Sequence, residues 1–348
     1  MKILIVGAGL TGCVLAERLA SAGREVVVVE QKEHIAGNCY DELDEYGVMV
    51  HRFGPHVFHT NAQQVVDYLS KFTDWRPYEH RVLASVRGFL VPIPINATTL
   101  SMLGTSLKPE QREVRSSEDV VMNAVGAELC NDFYRGYTLK QWGRDLRELA
   151  PSVAARIPVR TDNDDRYFTD KFQAMPTDGY TAMCHRLLHH PNIRLELCVP
   201  PVASHLGQTS DILLFTGPID GYFRHCLGRL PYRSMKFKFE HIKRKWYQPT
   251  GSVNFPHPAI PYTRVTEFKH MTGQEHEGTT IVREYPSADG APYYPVPTIE
   301  SAALLAQYQE RAAAEKGVFF AGRLGQYRYF NMDQAVAAAL KLAERLTA

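Results

Sequence analysis

Cysteine is scarce and unpatterned. The six thiols, Cys13, Cys39, Cys130, Cys184, Cys198 and Cys226, are scattered, with no C-x-x-C pair and no Cys/His spacing typical of structural zinc. Reduced thiols of an intracellular protein are therefore expected, and no metal site. An excess of either charge is missing as well: 39 Lys and Arg against 38 Asp and Glu leave a net charge of +1. No electrostatic field invites a nucleic acid or an anionic membrane surface. Apolar runs stay well short of the roughly 20 residues a membrane helix needs, so no membrane span is expected. Met1 runs straight into the strand pattern KILIVGAG with neither a basic leader nor a cleavage site, and a cytoplasmic protein is the expectation. Repeats and low-complexity linkers are also lacking. What remains is 348 residues, 45% of them hydrophobic, enough to bury a sizeable core in two or three domains.

The first stretch, KILIVGAGLTGCVLAERLASAGREVVVVEQ, reads as a buried strand, a glycine turn, an amphipathic helix from Leu10 to Ala22, a stop at Gly23 and a second strand ending at Glu30. Gly7, Gly9 and Gly12 make G-x-G-x-x-G in the context that gives this motif meaning: it leaves a strand, opens a helix and is followed by an acid placed to accept from a ribose hydroxyl. Gln31 and Lys32 follow Glu30 without an arginine, which suits an adenosine with a free 2′-hydroxyl, hence NAD or FAD. FAD is favoured by a second small turn at Gly37 and Asn38. It is favoured too by the last segment, VFFAGRLGQYRYFNMDQAVAAALK, a strand from Val318 to Ala321, a glycine turn, a polar aromatic knot and a helix. A chain that begins and ends with pieces of one nucleotide domain resembles the glutathione-reductase-like flavoproteins. In those, the terminal helix start, here Met332 and Asp333, faces flavin O2, where negative charge accumulates on reduction.

The middle of the chain changes character. HRFGPHVFHTN (51–61) holds three histidines in a rigid turn, either lining a pocket or serving structure alone. Residues 117–150 carry helical periodicity, with Ser117 and Asp119 as caps. From Arg156 to about Tyr294, runs such as KFKFEHI, GSVNF, YTRVTEFKH and TTIVREY, divided by Pro and Gly, read as antiparallel sheet. The expected fold is mixed α/β: a Rossmann domain with an inserted helical domain and an antiparallel sheet domain. The expected boundaries are 1–80, 184–220 and 310–348 for a discontinuous FAD-binding domain, 97–149 for the helical domain, and 81–96, 150–183 and 221–309 for the sheet domain.

The segments GPHVFHTN, FYRGYTLKQWG, RIPVRTDNDDRYF, GYTAM, FTGPIDGYF, IPYTRVTEFKH, VREYP, PYYPV and GRLGQYRY occur together and in order. By them the chain resembles the bacterial UDP-galactopyranose mutases over residues 3–340. The resemblance implies interconversion of UDP-galactopyranose and UDP-galactofuranose without net redox change, with N5 of reduced FAD as nucleophile toward the anomeric carbon. It also implies an external reductant, a nucleotide-sugar substrate and a homodimer. Arg156 and Arg264 match the diphosphate-binding pair, and an arginine fork suits phosphate. Tyr167, Tyr294 and Tyr329 match hydroxyl donors to the same diphosphate, and Phe133, Tyr137, Thr138 and Trp142 the shelf under the nucleotide. Asn38, His56, Gly322 and Arg323 match flavin contacts, and His59, Asn254 and Glu284 the polar wall near the sugar. Arg156, Arg264, Tyr329 and His59 are the implied catalytic set. Arg156 is expected on a lid, because the neighbouring TDNDD is polar.

Some positions depart from the family. The segment between Asn96 and Ser117 is shorter than usual, Asn331 stands for a frequent aspartate, and Leu100 to Leu103 lack the usual glutamine. His80 stands where an asparagine is common, and an imidazole cannot make every hydrogen bond of a carboxamide. These departures open an alternative, the same chemistry on a modified or 6-deoxy sugar, for example a dTDP-linked one. A flavin oxidase or dehydrogenase is a second alternative, sharing the first and last segments.

Overall fold

The computed structural model describes residues 2–156, 158–200, 210–296 and 298–348. The strand Lys2–Val6 buries every residue after Lys2, which places it in the middle of a sheet rather than at an edge. It pairs in parallel with Glu25–Val29 on one side and with Ile212–Phe215 on the other. Ile193–Glu196 and Val318–Phe320 extend the sheet outward, also in parallel. The first connection leads from the central strand to one side, where Ile193–Glu196 later joins it, and Ile212–Phe215 and Val318–Phe320 build the other. The cleft between these directions, at the strands' carboxyl ends, is where such sheets take ligands. The helix Leu10–Ser21 covers this sheet, and Met332–Thr347 packs against that helix through Val336, Ala339, Leu340 and Ala343. The two ends of the chain thus share one core.

A larger sheet of seven strands lies beyond it, in the order Tyr294–Pro295, Tyr232–Ile242, Thr279–Ser287, Arg264–Glu267, Ser252–Asn254, Val82–Val86, Phe89–Ile93. The runs read as strands are strands, but the sheet is mixed rather than antiparallel, because Ser252–Asn254 runs parallel to Val82–Val86. A long excursion separates those two strands, so no tight turn imposes an antiparallel return. Phe172–Pro176 stays out of this sheet and pairs with Phe58–Thr60 and Trp75–Pro77. The histidine-rich segment is therefore not all turn: His59 lies in a strand.

The helical stretch is interrupted rather than continuous. Ser117–Val125 ends at Gly126, which adopts a left-handed φ of 81°. A three-residue turn and a π-helical segment, Cys130–Arg135, then lead into Gly136–Trp142. The N-cap is Ser116, not Ser117, its hydroxyl accepting from the Asp119 amide while Asp119 accepts from the Ser116 amide.

Gly12 has a steric task. A Cβ at this position would lie 2.0 Å from the carbonyl oxygen of Gly7, so the first helix could not approach its strand. Gly12→Ala should cost at least the ~1–3 kcal/mol typical of overpacking. It should lower the thermal midpoint of the purified protein; an unchanged melt would show that the turn is not held this tightly.

Candidate functional site

A cleft of about 560 Å³ opens at the carboxyl end of the central strand. Gly7, Gly9, Glu30, Asn38, His56 and Met332 are among its lining residues, as are Gly322 and Arg323. All the sequence-derived cofactor contacts except Gly12 and Asp333 therefore meet here, while Gly12 acts from inside the helix. Gly9 and Gly37 face each other so closely that a Cβ on Gly37 would come within 2.9 Å of the Gly9 Cα. This side-chain-free floor beside a helix N-terminus suits a dinucleotide pyrophosphate.

Glu30 is prepared for a ribose in a way the sequence does not reveal. Its Oε2 accepts from the Ala8 amide at 2.8 Å and its Oε1 from the Lys32 amide at 3.0 Å, which fixes the carboxylate and leaves lone pairs for hydroxyl donors. His56 is held equally firmly: its Nδ1 donates to the Gly54 carbonyl at 2.9 Å, leaving Nε2 as an acceptor. Burial, with the Arg323 and Arg264 charges nearby, lowers His56 to about 3, so its ring is neutral at physiological pH.

Next to the cleft, the larger sheet presents a row of polar side chains. Register pairs Asn254 with Arg264 and Arg264 with Glu284, so three neighbouring strands carry them at one level and on one face. Arg264 donates from Nε to Glu284 Oε1 and from Nη2 to Glu284 Oε2, both at 2.8 Å. Burial opposes the guanidinium charge, yet the Glu284 carboxylate more than offsets it and holds Arg264 above the usual range. Asn254 is buried, and its Oδ1 has no partner among the described residues.

Tyrosine rings surround this pair. Tyr294 stacks on Tyr329 with centroids 5.6 Å apart, Trp142 lies 6.4 Å from Tyr294, and the guanidiniums of Arg156 and Arg323 sit 3.7 and 4.9 Å from the Tyr329 centroid. Arg156 also donates to Asn331 at 3.3 Å, and the polar run 161–165 is tied to the body: Asn96 donates to the Asp164 carbonyl and to Asp165. Burial raises the phenols of Tyr137, Tyr167 and Tyr294, all of them within reach of the Arg264 charge. Tyr329 goes the other way. Burial raises it too, but Arg156, Arg323 and Arg264 together pull it below the ordinary tyrosine value.

Other sequence-derived residues stand further back. His80 is buried, hydrogen-bonded through Nδ1 to the Tyr78 hydroxyl at 3.0 Å, and 5.8 Å from the Tyr167 ring. Burial, then the Arg264 charge, lowers it to about 3. His59 is outside the cleft lining, its Nδ1 donating to Asp170 at 2.8 Å and its ring stacked 3.6 Å from Phe168. Phe133 belongs to the apolar cluster of the helical region with Val121 and Leu129, behind the shelf, and Thr138 is buried in its helix. Asp333 turns one oxygen to the Thr60 hydroxyl at 2.8 Å; the other is buried without a partner among the described residues. Tyr327 leaves the knot altogether, donating to the Pro231 carbonyl at 2.5 Å.

The geometry makes Tyr329 a reporter of local positive charge. In the difference titration between the wild type and Tyr329→Phe, its phenolate should form at a higher pH once Arg156 is replaced by Gln, because loss of a cation disfavours the anion. A step that stays put or moves downward would contradict the charge arrangement.

Comparison with known proteins places this architecture. The UDP-galactopyranose mutase family profile matches residues 132–329, and a NAD(P)-binding Rossmann-like domain profile matches residues 5–72. The chain is 38% identical over 363 residues to a probable UDP-galactopyranose mutase of Klebsiella pneumoniae, covering 99% of this chain and 94% of that one. It is 34% identical over 367 residues to the dTDP-fucopyranose mutase of Escherichia coli, covering 99% and 97%. A crystal structure of reduced UDP-galactopyranose mutase superposes with a TM-score of 0.82 at 18% identity, over 99% of this chain and 95% of that one, which shows a shared fold. That fold is the glutathione-reductase-like one expected from the two chain ends. With the profile covering more than half of the sequence and relatives matching along its length, the chain belongs to the UDP-galactopyranose mutase family.

Proposed function

We propose that the protein interconverts the pyranose and furanose forms of UDP-galactose, with FAD as cofactor in its reduced state. The observation that carries this reading is the Arg264–Glu284 pair within a ring of tyrosines beside the dinucleotide cleft. A fixed, charged guanidinium with phenol donors around it is the equipment for a diphosphate that leaves and returns. A flavin oxidase would share the fold but give this anion site nothing to hold.

Reduced FAD, when bound, supplies a nucleophile at N5. Gly7, Gly9 and Gly12 shape the turn for its pyrophosphate, Glu30 takes the ribose, and Asn38, His56, Gly322, Arg323 and Met332 form the wall toward the ring. On the substrate side, Arg264 and Arg156 hold the diphosphate with Tyr167, Tyr294 and Tyr329. Tyr137, Thr138 and Trp142, backed by Phe133, form the nucleotide shelf. Asn254, Glu284, His59 and His80 make the polar wall by the sugar. The Oδ1 of Asn254, unpaired among the described residues, fits a hydroxyl donor from the substrate. Arg156, Arg264, Tyr329 and His59 remain the catalytic set.

The reading extends to a cytoplasmic homodimer reduced by an external donor, since the sequence carries one G-x-G-x-x-G turn. It also extends to three structural units: 1–80 with 184–220 and 310–348 for the flavin, 97–149 for the helices, and 81–96 with 150–183 and 221–309 for the sheet, except that Phe172–Pro176 pairs with strands of the first unit.

The decisive experiment incubates dithionite-reduced and oxidised protein with UDP-galactofuranose and resolves the sugar nucleotides. Only the reduced form should convert it, with many turnovers per reduction. Arg264→Ala should lose about 2–5 kcal/mol of transition-state stabilisation in kcat/KM. Equal turnover by oxidised protein would refute the reading.

A second substrate is favoured by His80 and by the relationship to a dTDP-fucopyranose mutase. His80 is neutral, buried and beside Tyr167, where it fills space and offers a different hydrogen-bond pattern from an asparagine. On this reading, a dTDP-linked 6-deoxy furanose should have the higher kcat/KM in wild type, and His80→Asn should reverse the preference. A preference for UDP-galactofuranose that His80→Asn leaves unchanged would retain the first substrate.

A further inference from the structure

Behind the nucleotide shelf, one ammonium group occupies a nest of main-chain oxygens. Lys140 Nζ lies 2.5 Å from the carbonyl oxygen of Phe255, 3.0 Å from that of His257, 2.9 Å from that of Ile260 and 3.1 Å from that of Tyr262. Four carbonyls share three N–H bonds, an arrangement that resembles coordination of a cation more than an ordinary lysine contact. Lys140 lies on the helix Gly136–Trp142, which also carries Tyr137, Thr138 and Trp142. One turn earlier on the same face, a Cβ at Gly136 would sit 2.4 Å from the Pro256 carbonyl oxygen. Helix and loop are thus in backbone contact at one point and bridged by a charge at the next.

The loop has a definite place in the site. It begins directly after Asn254 and ends just before Thr263 and Arg264, so it is the connection between two strands of the polar row. The T-shaped contact of Phe255 with Tyr262, centroids 5.0 Å apart, and the Phe255 amide bond to the Thr263 carbonyl at 2.9 Å close its base. The C-terminal end of the shelf helix is held as well: Arg233 donates to the carbonyls of Gln141 and Lys140 at 3.0 and 3.1 Å. Burial lowers Lys140 to about 8, while the four carbonyl dipoles favour its charged form.

We propose that Lys140 is a positioning residue whose ammonium acts as a built-in cation, seating the 255–262 loop on the shelf helix and so fixing the separation between Tyr137 and Trp142 on one side and Asn254 and Arg264 on the other. The inference rests on the reading of this site as a nucleotide-sugar site. Lys140 touches no reacting atom; it sets the span across which a nucleotide and its diphosphate are gripped together. Loss of the charge therefore weakens binding more than the chemical step.

The test uses full-length, flavin-loaded protein as wild type, Lys140→Met, Lys140→Arg and Lys140→Ala. In Lys140→Met, the dissociation constant for UDP and the KM for UDP-galactofuranose should rise about tenfold or more while kcat changes less than about threefold. Lys140→Arg keeps the charge, but its planar fork cannot converge on four oxygens, so it should fall in between. Propylammonium added to Lys140→Ala should restore UDP binding saturably, whereas propanol should not. A merely structural lysine would lower the melting temperature without this ammonium-specific recovery. Hydrogen exchange across residues 255–263, measured without ligand, should quicken in Lys140→Met and slow again in Lys140→Ala with propylammonium. That readout needs no substrate, so it judges the clamp even if the wild type converts no nucleotide sugar. Unchanged exchange in both variants, or UDP affinity within about twofold of wild type in Lys140→Met, would overturn the proposal.

Discussion

The bidentate bond between Arg264 and Glu284 is the interaction around which the rest of the site is arranged. A guanidinium set among tyrosine rings loses much of its hydration, and only a carboxylate at hydrogen-bonding distance makes that placement tolerable. Glu284 in turn is almost wholly buried and uses both oxygens on its partner. Each charge is acceptable because of the other, and neither is free to turn away. The pair therefore behaves as a fixed dipole with one face left toward the tyrosines, where an incoming anion would meet positive charge that costs no reorganisation to present.

The flanking phenols show how finely this field is graded. Tyr137, Tyr167 and Tyr294 lie where burial dominates, and they remain neutral hydroxyls. Tyr329 lies where Arg156 and Arg323 approach its ring from above, and the balance reverses. One residue type thus serves two electrostatic environments within a single stack of rings.

The sequence disclosed the parts whose information is local. The G-x-G-x-x-G turn, the strand before it and the acid after it are read from neighbours in the chain, and the structure keeps all three. The amphipathic terminal helix is legible for the same reason. The polar row is not, because the alignment of Asn254, Arg264 and Glu284 is a matter of strand register, and register depends on how distant segments pair. The parallel entry of Ser252–Asn254 escaped notice likewise, since strand direction after a long excursion leaves no mark on alternation. Tyr327 and Tyr329 look equivalent in sequence. A left-handed backbone at Tyr327, φ 48°, turns one ring into the core and leaves the other beside the arginines. Motif resemblance brought forward candidates such as His59 and Phe133, but their partners, Asp170 and the apolar helical cluster, come from the folded chain.

The cofactor cleft draws its walls from both ends of the polypeptide: Gly7, Gly9 and Glu30 on one side, Arg323, Met332 and Ala335 on the other. This has a consequence for biosynthesis. While the chain is still emerging from the ribosome, the glycine turn exists without its opposite wall, and the central strand lacks the core contributed by the terminal helix. The complete pocket can form only after the helix Met332–Thr347 has been made. Closure of the cleft must therefore wait for that helix, and a chain interrupted before it would hold the glycine turn but lack the opposite wall of the cleft.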